Sequence, residues 1–101
     1  MNVFLSEPTE RYLRVIYKYY KFHVSVKVAQ KIIGQIFART ESLENFAERG
    51  RIESDLKVFN QKHRFVLEGN YKIIYRIEDD NIYVTDVFDT RQNPEKITKR
   101  K

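Results

Sequence analysis

The first half of the chain carries apolar residues at helical spacing. In the first stretch they recur every three or four positions, at Tyr12, Val15, Ile16 and Tyr19. Ser6 stands just before this stretch and Pro8 lies in its first turn, where the N–H that proline lacks would have no helical partner. The pattern predicts a first helix over about 9–21, preceded by a short apolar strand over 2–5.

A second apolar stripe follows after a short connection. Its members are Ala29, Ile32, Ile33, Ile36 and Phe37. Ser25 is placed to cap this second helix, and the short connection predicts that the two helices are antiparallel neighbours. Gly34 lies within the stripe, where glycine costs about 1 kcal/mol relative to alanine, and we expect close contact between the helices to explain it.

The apolar period changes to two in the second half of the chain. Residues 64–67 and 71–78 are predicted strands around residues 69–70, a Gly-Asn pair that favours a type II′ hairpin turn. Residues 79–81 make a second turn, and residues 82–88 form the last strand. Three strands joined by tight turns form an antiparallel meander.

Together these elements give the order β-α-α-β-β-β. We expect an α+β fold in which an antiparallel helical hairpin packs on one face of an antiparallel sheet. The stretch 46–60 is charged and contains a glycine, so we expect it to be irregular. The 101 residues predict a single domain over 1–101, with a basic tail at about 95–101 that is solvated and partly disordered.

Composition narrows the classes of function. The chain has no cysteine, which excludes disulfides, thiolate zinc sites and cysteine nucleophiles. Residues 1–20 contain no apolar block typical of a signal peptide, and no stretch approaches the roughly 20 apolar residues of a membrane helix. We therefore expect a cytoplasmic protein with no membrane contact. The net charge of +5 favours nucleic acid or an acidic protein as partner.

Two segments of the second half resemble a known family. Residues 69–84 read GNYKIIYRIEDDNIYV, and residues 87–94 read VFDTRQNP. They are similar to the central hairpin and the ending found in the RelE/ParE superfamily of toxins, which usually also has paired helices before the sheet. The resemblance implies the toxin of a bacterial type II toxin–antitoxin pair, neutralised by direct binding of its antitoxin, with no cofactor and no metal.

The superfamily contains two activities, and the sequence leaves both open. ParE-like members bind DNA gyrase, whereas RelE-like members cut messenger RNA on the ribosome, using cations and a general acid or base. The candidate residues for cleavage are Arg64, Lys72, Arg76, Arg91 and His63. Lys72 and Arg76 share a strand face at period two. The set is incomplete, because Val66 stands where a second lysine is common and neither tyrosine nor histidine follows Arg91.

The incomplete set favours ParE-like inhibition of a target such as gyrase over a ribonuclease. A third interpretation is an inactive member that keeps only antitoxin binding. The apolar stripes of the helices are wider than the core needs, so we expect an exposed patch for the antitoxin. The residues assigned to this patch are Tyr12, Tyr19, Tyr20, Phe22 and Phe37. The alternative is that these rings belong to the protein's own core.

Other titratable residues have plainer interpretations. His63 is expected on the surface and His23 in the helix connection, and two histidines so far apart are no metal signature. The Asp79-Asp80 pair fits a turn, and Asp86 and Asp89 fit edge charges better than a cation site. The cations on the strands have an alternative to a role in binding phosphate. Pairing with neighbouring carboxylates would neutralise them within the sheet.

Overall fold

The computed structural model describes residues 2–46, 51–52 and 63–91. Within these ranges the elements are β1 (Val3–Leu5), α1 (Glu7–His23), α2 (Val26–Glu41), α3 (Leu43–Phe46), β2 (Arg51–Ile52), β3 (Arg64–Glu68), β4 (Tyr71–Glu78) and β5 (Asn81–Asp89). All the predicted helices and strands are present. The stretch 46–60 was expected to be irregular, and β2 corrects that expectation. The predicted basic tail lies outside the described residues.

Serine caps begin both long helices, as the sequence predicts. The Oγ of Ser6 accepts a hydrogen bond from the N–H of Thr9 at 3.2 Å, and the Oγ of Ser25 accepts one from Val28 at 3.1 Å. A connection of two residues joins the helices, and both of its N–H groups donate to the carbonyl of Tyr20, at 2.9 and 3.0 Å. The connection is therefore a tight turn that places α2 beside α1.

Within the described ranges the strands form one five-stranded sheet in the order β1-β5-β4-β3-β2. The meander is confirmed, because β3, β4 and β5 pair antiparallel, and β2 adds antiparallel to β3. The first strand pairs parallel to β5, with Val3 opposite Ile82, so the whole sheet is mixed rather than antiparallel. The helical hairpin supplies the crossover that a parallel pair requires.

The two hairpin turns differ in backbone conformation. Gly69 has a φ of +58°, while Asn70 is not in the left-handed region, which fits the predicted type II′ turn. Asp79 and Asp80 have φ values of 50° and 66°, which make the second turn type I′. Aspartate tolerates this conformation better than most residues. In consequence Asn81 begins β5 instead of ending the turn.

The main core lies between the helices and one face of the sheet. Its buried members are Leu13, Ile36, Leu43, Tyr71, Ile73, Tyr75, Ile82, Val84 and Val87. A smaller cluster on the opposite face joins Ile74 and Phe88, with Phe65 packed against them. Opposite residues of the sheet change from Ile74–Asp86 to Tyr75–Val84, so Thr85 is an extra residue of β5. The bulge shifts the alternation of β5, so Val84 and Val87 both face the helices and Phe88 faces the other side.

Gly34 does not serve the helix contact that was expected of it. It is exposed, and a Cβ added there would meet nothing within 4 Å. The expectation is wrong because α2 turns Ala29 and Ile36 towards the core, and Gly34 lies on the other side of the helix. Among the described residues no helix has the length and apolarity needed to cross a membrane.

Candidate functional site

An open groove lies beside the C-terminal half of α1, where the helix passes over the end of the sheet. Its volume is about 820 Å³. The lining residues are Tyr12, Val15, Ile16, Tyr19, Tyr20, His23, Val24, Tyr71, Val87, Asp89 and Arg91. We call it the Tyr19 groove. One flank of a helix supplies most of the wall, since the lining residues of α1 are three or four positions apart.

The wall of the Tyr19 groove is apolar and aromatic. Val15 and Tyr19 are 65% and 56% exposed, which is far from the burial expected of core residues. The ring of Tyr19 meets Tyr20 edge-on at 5.2 Å and lies 4.5 Å from the imidazole of His23. These ring contacts hold the wall in place without closing the groove.

A polar cluster forms one end of the groove, and we call it the Arg91 corner. Its members are Tyr20, Tyr71, Asp89 and Arg91. The hydroxyl of Tyr71 donates to the hydroxyl of Tyr20 at 3.3 Å. Arg91 donates from Nε and Nη2 to the two oxygens of Asp89, at 2.9 and 2.7 Å, and its backbone N–H donates to Oδ1 at 2.9 Å.

The local backbone explains how the corner is built. Tyr71 and Asp89 are opposite residues at the shared end of β4 and β5. The next residue, Thr90, donates to the carbonyl of Asn70 at 2.8 Å from both its N–H and its hydroxyl. The chain after β5 is thereby tied to the first hairpin turn, which sets the position of Arg91.

Electrostatics fix the protonation states in the corner. Burial raises the pKa of Tyr71 above its ordinary value, and the hydrogen bond to Tyr20 raises it further. The hydrogen bond from Arg91 holds the pKa of Asp89 below its usual range. The corner therefore contains a neutral Tyr71 hydroxyl and a charged fork at neutral pH.

The structure gathers some of the residues assigned to a binding patch. Tyr12, Tyr19 and Tyr20 line the groove. Phe22 is 87% exposed near the end of α1, and its ring lies 5.2 Å from that of His23 on the rim. Phe37 is 41% exposed but belongs to α2 and does not line the groove. The alternative was that all five rings belong to the protein's own core. It does not fit Tyr19, Phe22 and Phe37, which are the three most exposed of them.

The candidate cations for RNA cleavage do not share one surface. Arg64 is opposite Tyr75 on the helix-facing side of the sheet. Lys72 and Arg76 point to the other side, as their shared period predicts, and Arg91 lies in the corner described above. We call this other side the outer sheet face, which carries Phe4, Phe65, Lys72, Arg76 and Tyr83.

The cations of the outer sheet face have partners close by. The Nζ of Lys72 lies 4.5 Å from the centre of the Phe65 ring. The guanidinium of Arg76 lies 4.9 Å from the centre of the Tyr83 ring and pairs with Glu78. The interpretation that strand cations are neutralised within the sheet thus fits Arg76.

The two histidines differ from each other in burial. His63 is 4% exposed, so the expectation of a surface residue is wrong. Its position directly before β3 turns it into the protein, which the alternation of the strand alone did not reveal. His23 is exposed, as expected, and forms part of the groove.

Of the acidic residues, Asp86 departs from its expected role. Asp79 and Asp80 form a turn, and Asp89 pairs with Arg91. Asp86 is fully buried, so it is not the edge charge that was expected. In the part of the chain that the structure describes, no group of three or more histidine, cysteine or acidic side chains could hold a metal ion.

Sequence reasoning missed part of the groove. Tyr71 was assigned to a predicted strand, and Asp89 to the segment that follows the last predicted strand. Their role in the corner depends on the pairing of β4 with β5. A signal was present, because the predicted hairpin already places the start of β4 opposite the end of β5. Val15 was assigned to the apolar stripe of the first helix but not to the binding patch, and its exposure follows from how α1 lies on the sheet.

Comparisons with known proteins agree with this fold. The family model described as "ParE toxin of type II toxin-antitoxin system, parDE" matches residues 3–94. The chain therefore belongs to the ParE toxin family, and it is the toxin of a type II toxin–antitoxin system. The resemblance drawn from the hairpin and the ending is confirmed. No curated protein sequence matches the chain significantly.

Two solved structures share the fold. The first is described as "Chromosomal ParDE TA system from P. aeruginosa"; it is 18% identical, has a TM-score of 0.76, and the match covers 88% of this chain and 95% of that chain. The second, "YoeB-YefM complex from Staphylococcus aureus", is 16% identical with a TM-score of 0.50, covering 86% and 93%. At these identities the likeness concerns the fold alone.

Proposed function

We propose that a cognate antitoxin neutralises this toxin by placing an apolar segment in the Tyr19 groove. The single observation that supports the proposal is an open groove walled by exposed apolar side chains. The solved relatives are described as a ParDE system and a YoeB-YefM complex, which fits a toxin that is held by a partner protein.

The composition of the groove is typical of a protein-binding site. Tyrosine and arginine are enriched among the residues that dominate protein interfaces, and the groove contains four tyrosines and one arginine among its lining residues. A partner that covered Val15 and Tyr19 would remove apolar surface from water at about 25 cal/mol per Å². Burial of this apolar surface would therefore contribute to the affinity for a partner.

The proposed cellular activity is inhibition of DNA gyrase by binding, in the cytoplasm. Two features support this choice over RNA cleavage. The candidate cations lie on different sides of the sheet, and Arg76 and Arg91 are each paired with a carboxylate. A phosphate in a crowded transition state needs cations that converge on one point.

The experiment that tests the target compares three readouts. Purified toxin is added to a gyrase supercoiling assay and, separately, to ribosomes translating a defined messenger RNA. We expect inhibited supercoiling and intact messenger RNA. Cleaved messenger RNA that is lost in an Arg64→Ala, Lys72→Ala variant would establish the ribonuclease alternative instead. Induced expression without growth arrest would identify an inactive member.

The antitoxin proposal is tested with the product of the reading frame beside the toxin gene. We expect that co-expression restores growth and that the two proteins purify together. A purified complex whose toxin tyrosines in the groove remain as accessible to chemical iodination as in the free toxin would contradict the proposed site.

A further inference from the structure

We propose that the Arg91 corner binds a carboxylate of the segment that fills the Tyr19 groove. The occupant is then an amphipathic acidic segment, with apolar side chains along α1 and one acidic side chain at the corner. The inference rests on the proposed neutralisation and specifies its chemistry. A charged anchor at one end would give the segment a fixed direction and register.

The hydroxyl of Tyr20 can donate its proton to an acceptor on the partner. Tyr71 donates its own proton to this hydroxyl at 3.3 Å, so the proton of Tyr20 remains available for a different acceptor. Tyr20 also lines the groove, which brings that donor to the place where a partner would lie.

The guanidinium of Arg91 offers a second donor beside the first. Its fork to Asp89 uses two of the five N–H donors of arginine and the hydrogen bond to Tyr20 uses a third, which leaves donors for another acceptor. The side chain of Arg91 is 59% exposed, whereas that of Asp89 is 19% exposed. An incoming group therefore meets the guanidinium before it meets the carboxylate of Asp89.

The charge around the groove favours an acid over other acceptors. Among the described lining residues the acidic one is Asp89, and its charge is balanced by Arg91. The whole chain carries +5, which attracts an acidic segment from a distance. A carboxylate accepts from both donors and gains a charge-assisted hydrogen bond, whereas a lysine or arginine would be repelled by Arg91.

The test uses a phage-displayed library of random 16-residue peptides, selected on the immobilised full chain. Peptides that bind the groove are recognised because a Val15→Asp, Tyr19→Asp variant no longer retains them. We expect these peptides to carry apolar residues at helical or alternate spacing together with aspartate or glutamate. For one such peptide, changing the acid to its amide should weaken binding about tenfold to the wild type.

Two variants decide whether the corner causes that preference. In Arg91→Gln the acid and the amide peptide should bind equally well, within about twofold. In Arg76→Gln, the matched control, the tenfold preference should remain, since that arginine also pairs with a carboxylate two residues away but lies on the outer sheet face.

The outcomes separate the two proposals. Groove-dependent peptides without an acidic preference, or with a preference that survives Arg91→Gln, overturn the carboxylate anchor and leave the groove as the binding site. Enriched peptides that still bind the Val15→Asp, Tyr19→Asp variant, or no enrichment at all, count against the groove itself and against the proposed neutralisation.

Discussion

Two arginines of this toxin pair with a carboxylate two residues away, and their surroundings differ. Arg76 pairs with Glu78 while its guanidinium lies over the ring of Tyr83, so an aromatic face covers it on the outer sheet face. Arg91 pairs with Asp89 at the end of an open groove. An ion pair with a neighbouring carboxylate does not by itself exclude an arginine from binding a partner. Whether such an arginine can bind a partner depends on whether its remaining N–H donors face a cavity that the partner can enter.

The largest expected effect is a loss of antitoxin affinity when the groove, and not another part of the surface, is changed. Replacing Val15 and Tyr19 by aspartate should weaken antitoxin binding by about 3 kcal/mol, more than a hundredfold, because two charges would be buried in an apolar contact. Titration calorimetry with the purified antitoxin measures the loss. Both side chains are exposed, so urea denaturation should show unfolding free energies that change by less than about 0.5 kcal/mol.

The matched control for that variant is Phe37→Asp. It places one of the two charges at an exposed aromatic position of α2, outside the groove. We expect less than a threefold change in affinity. An equal loss in both variants would show that the antitoxin covers both helices and that the groove has no special part.

The second prediction concerns the outer side of α2. Gly34→Ala should raise the free energy of unfolding by about 1 kcal/mol, because alanine favours the helix and the added Cβ meets no other atom. Thermal or urea unfolding measures the gain. Antitoxin affinity should stay the same if the partner occupies the groove, and a loss of affinity would extend the interface to this side of α2.

The third prediction tests the outer sheet face. Arg76→Ala should lower stability by about 0.5–1 kcal/mol, the usual contribution of a cation lying over an aromatic ring. Antitoxin affinity and gyrase inhibition should remain within twofold of the wild type. If either activity disappears in a variant that still folds, the outer sheet face is functional and the contrast between the two arginines fails.

The smallest expected effect comes from the pH dependence of Asp89. Its pKa is lower in the folded toxin than in the unfolded chain, so its ionised form stabilises the fold at neutral pH. That contribution is lost as the pH falls below about 4, the ordinary value for aspartate. In urea denaturation, the free energy of unfolding of the wild type should exceed that of Asp89→Asn at pH 7, and the difference should shrink as the pH falls below about 4. A difference independent of pH would assign the effect to packing.

The local elements could be predicted because each has its own chemical signal. Ser6 and Ser25 mark the helix starts, and Gly69 marks a turn that requires a positive φ. These signals act over a few residues, so the sequence around them is sufficient. The same holds for the hairpin that placed the chain in its family.

The long-range parts could not be read in this way. The parallel pairing of Val3–Leu5 with β5 joins residues about eighty positions apart, and a three-residue strand carries no pattern that selects a partner. The extra residue at Thr85 decides which side Asp86 faces, and the alternation of β5 does not reveal it. The groove depends on the way α1 crosses the sheet, so the apolar stripe alone did not reveal that Val15 is exposed.

The position of β1 beside the last strand has a consequence during synthesis. Ser6 begins α1 with its N–H on the carbonyl of Val84 at 3.0 Å, and Thr9 donates to the same carbonyl at 3.1 Å. β1 and the start of α1 therefore have no place to dock until β5 has been synthesised. A product that terminates early, before Asn81, lacks the strand that anchors α1, and the ribosome releases it with neither groove nor corner.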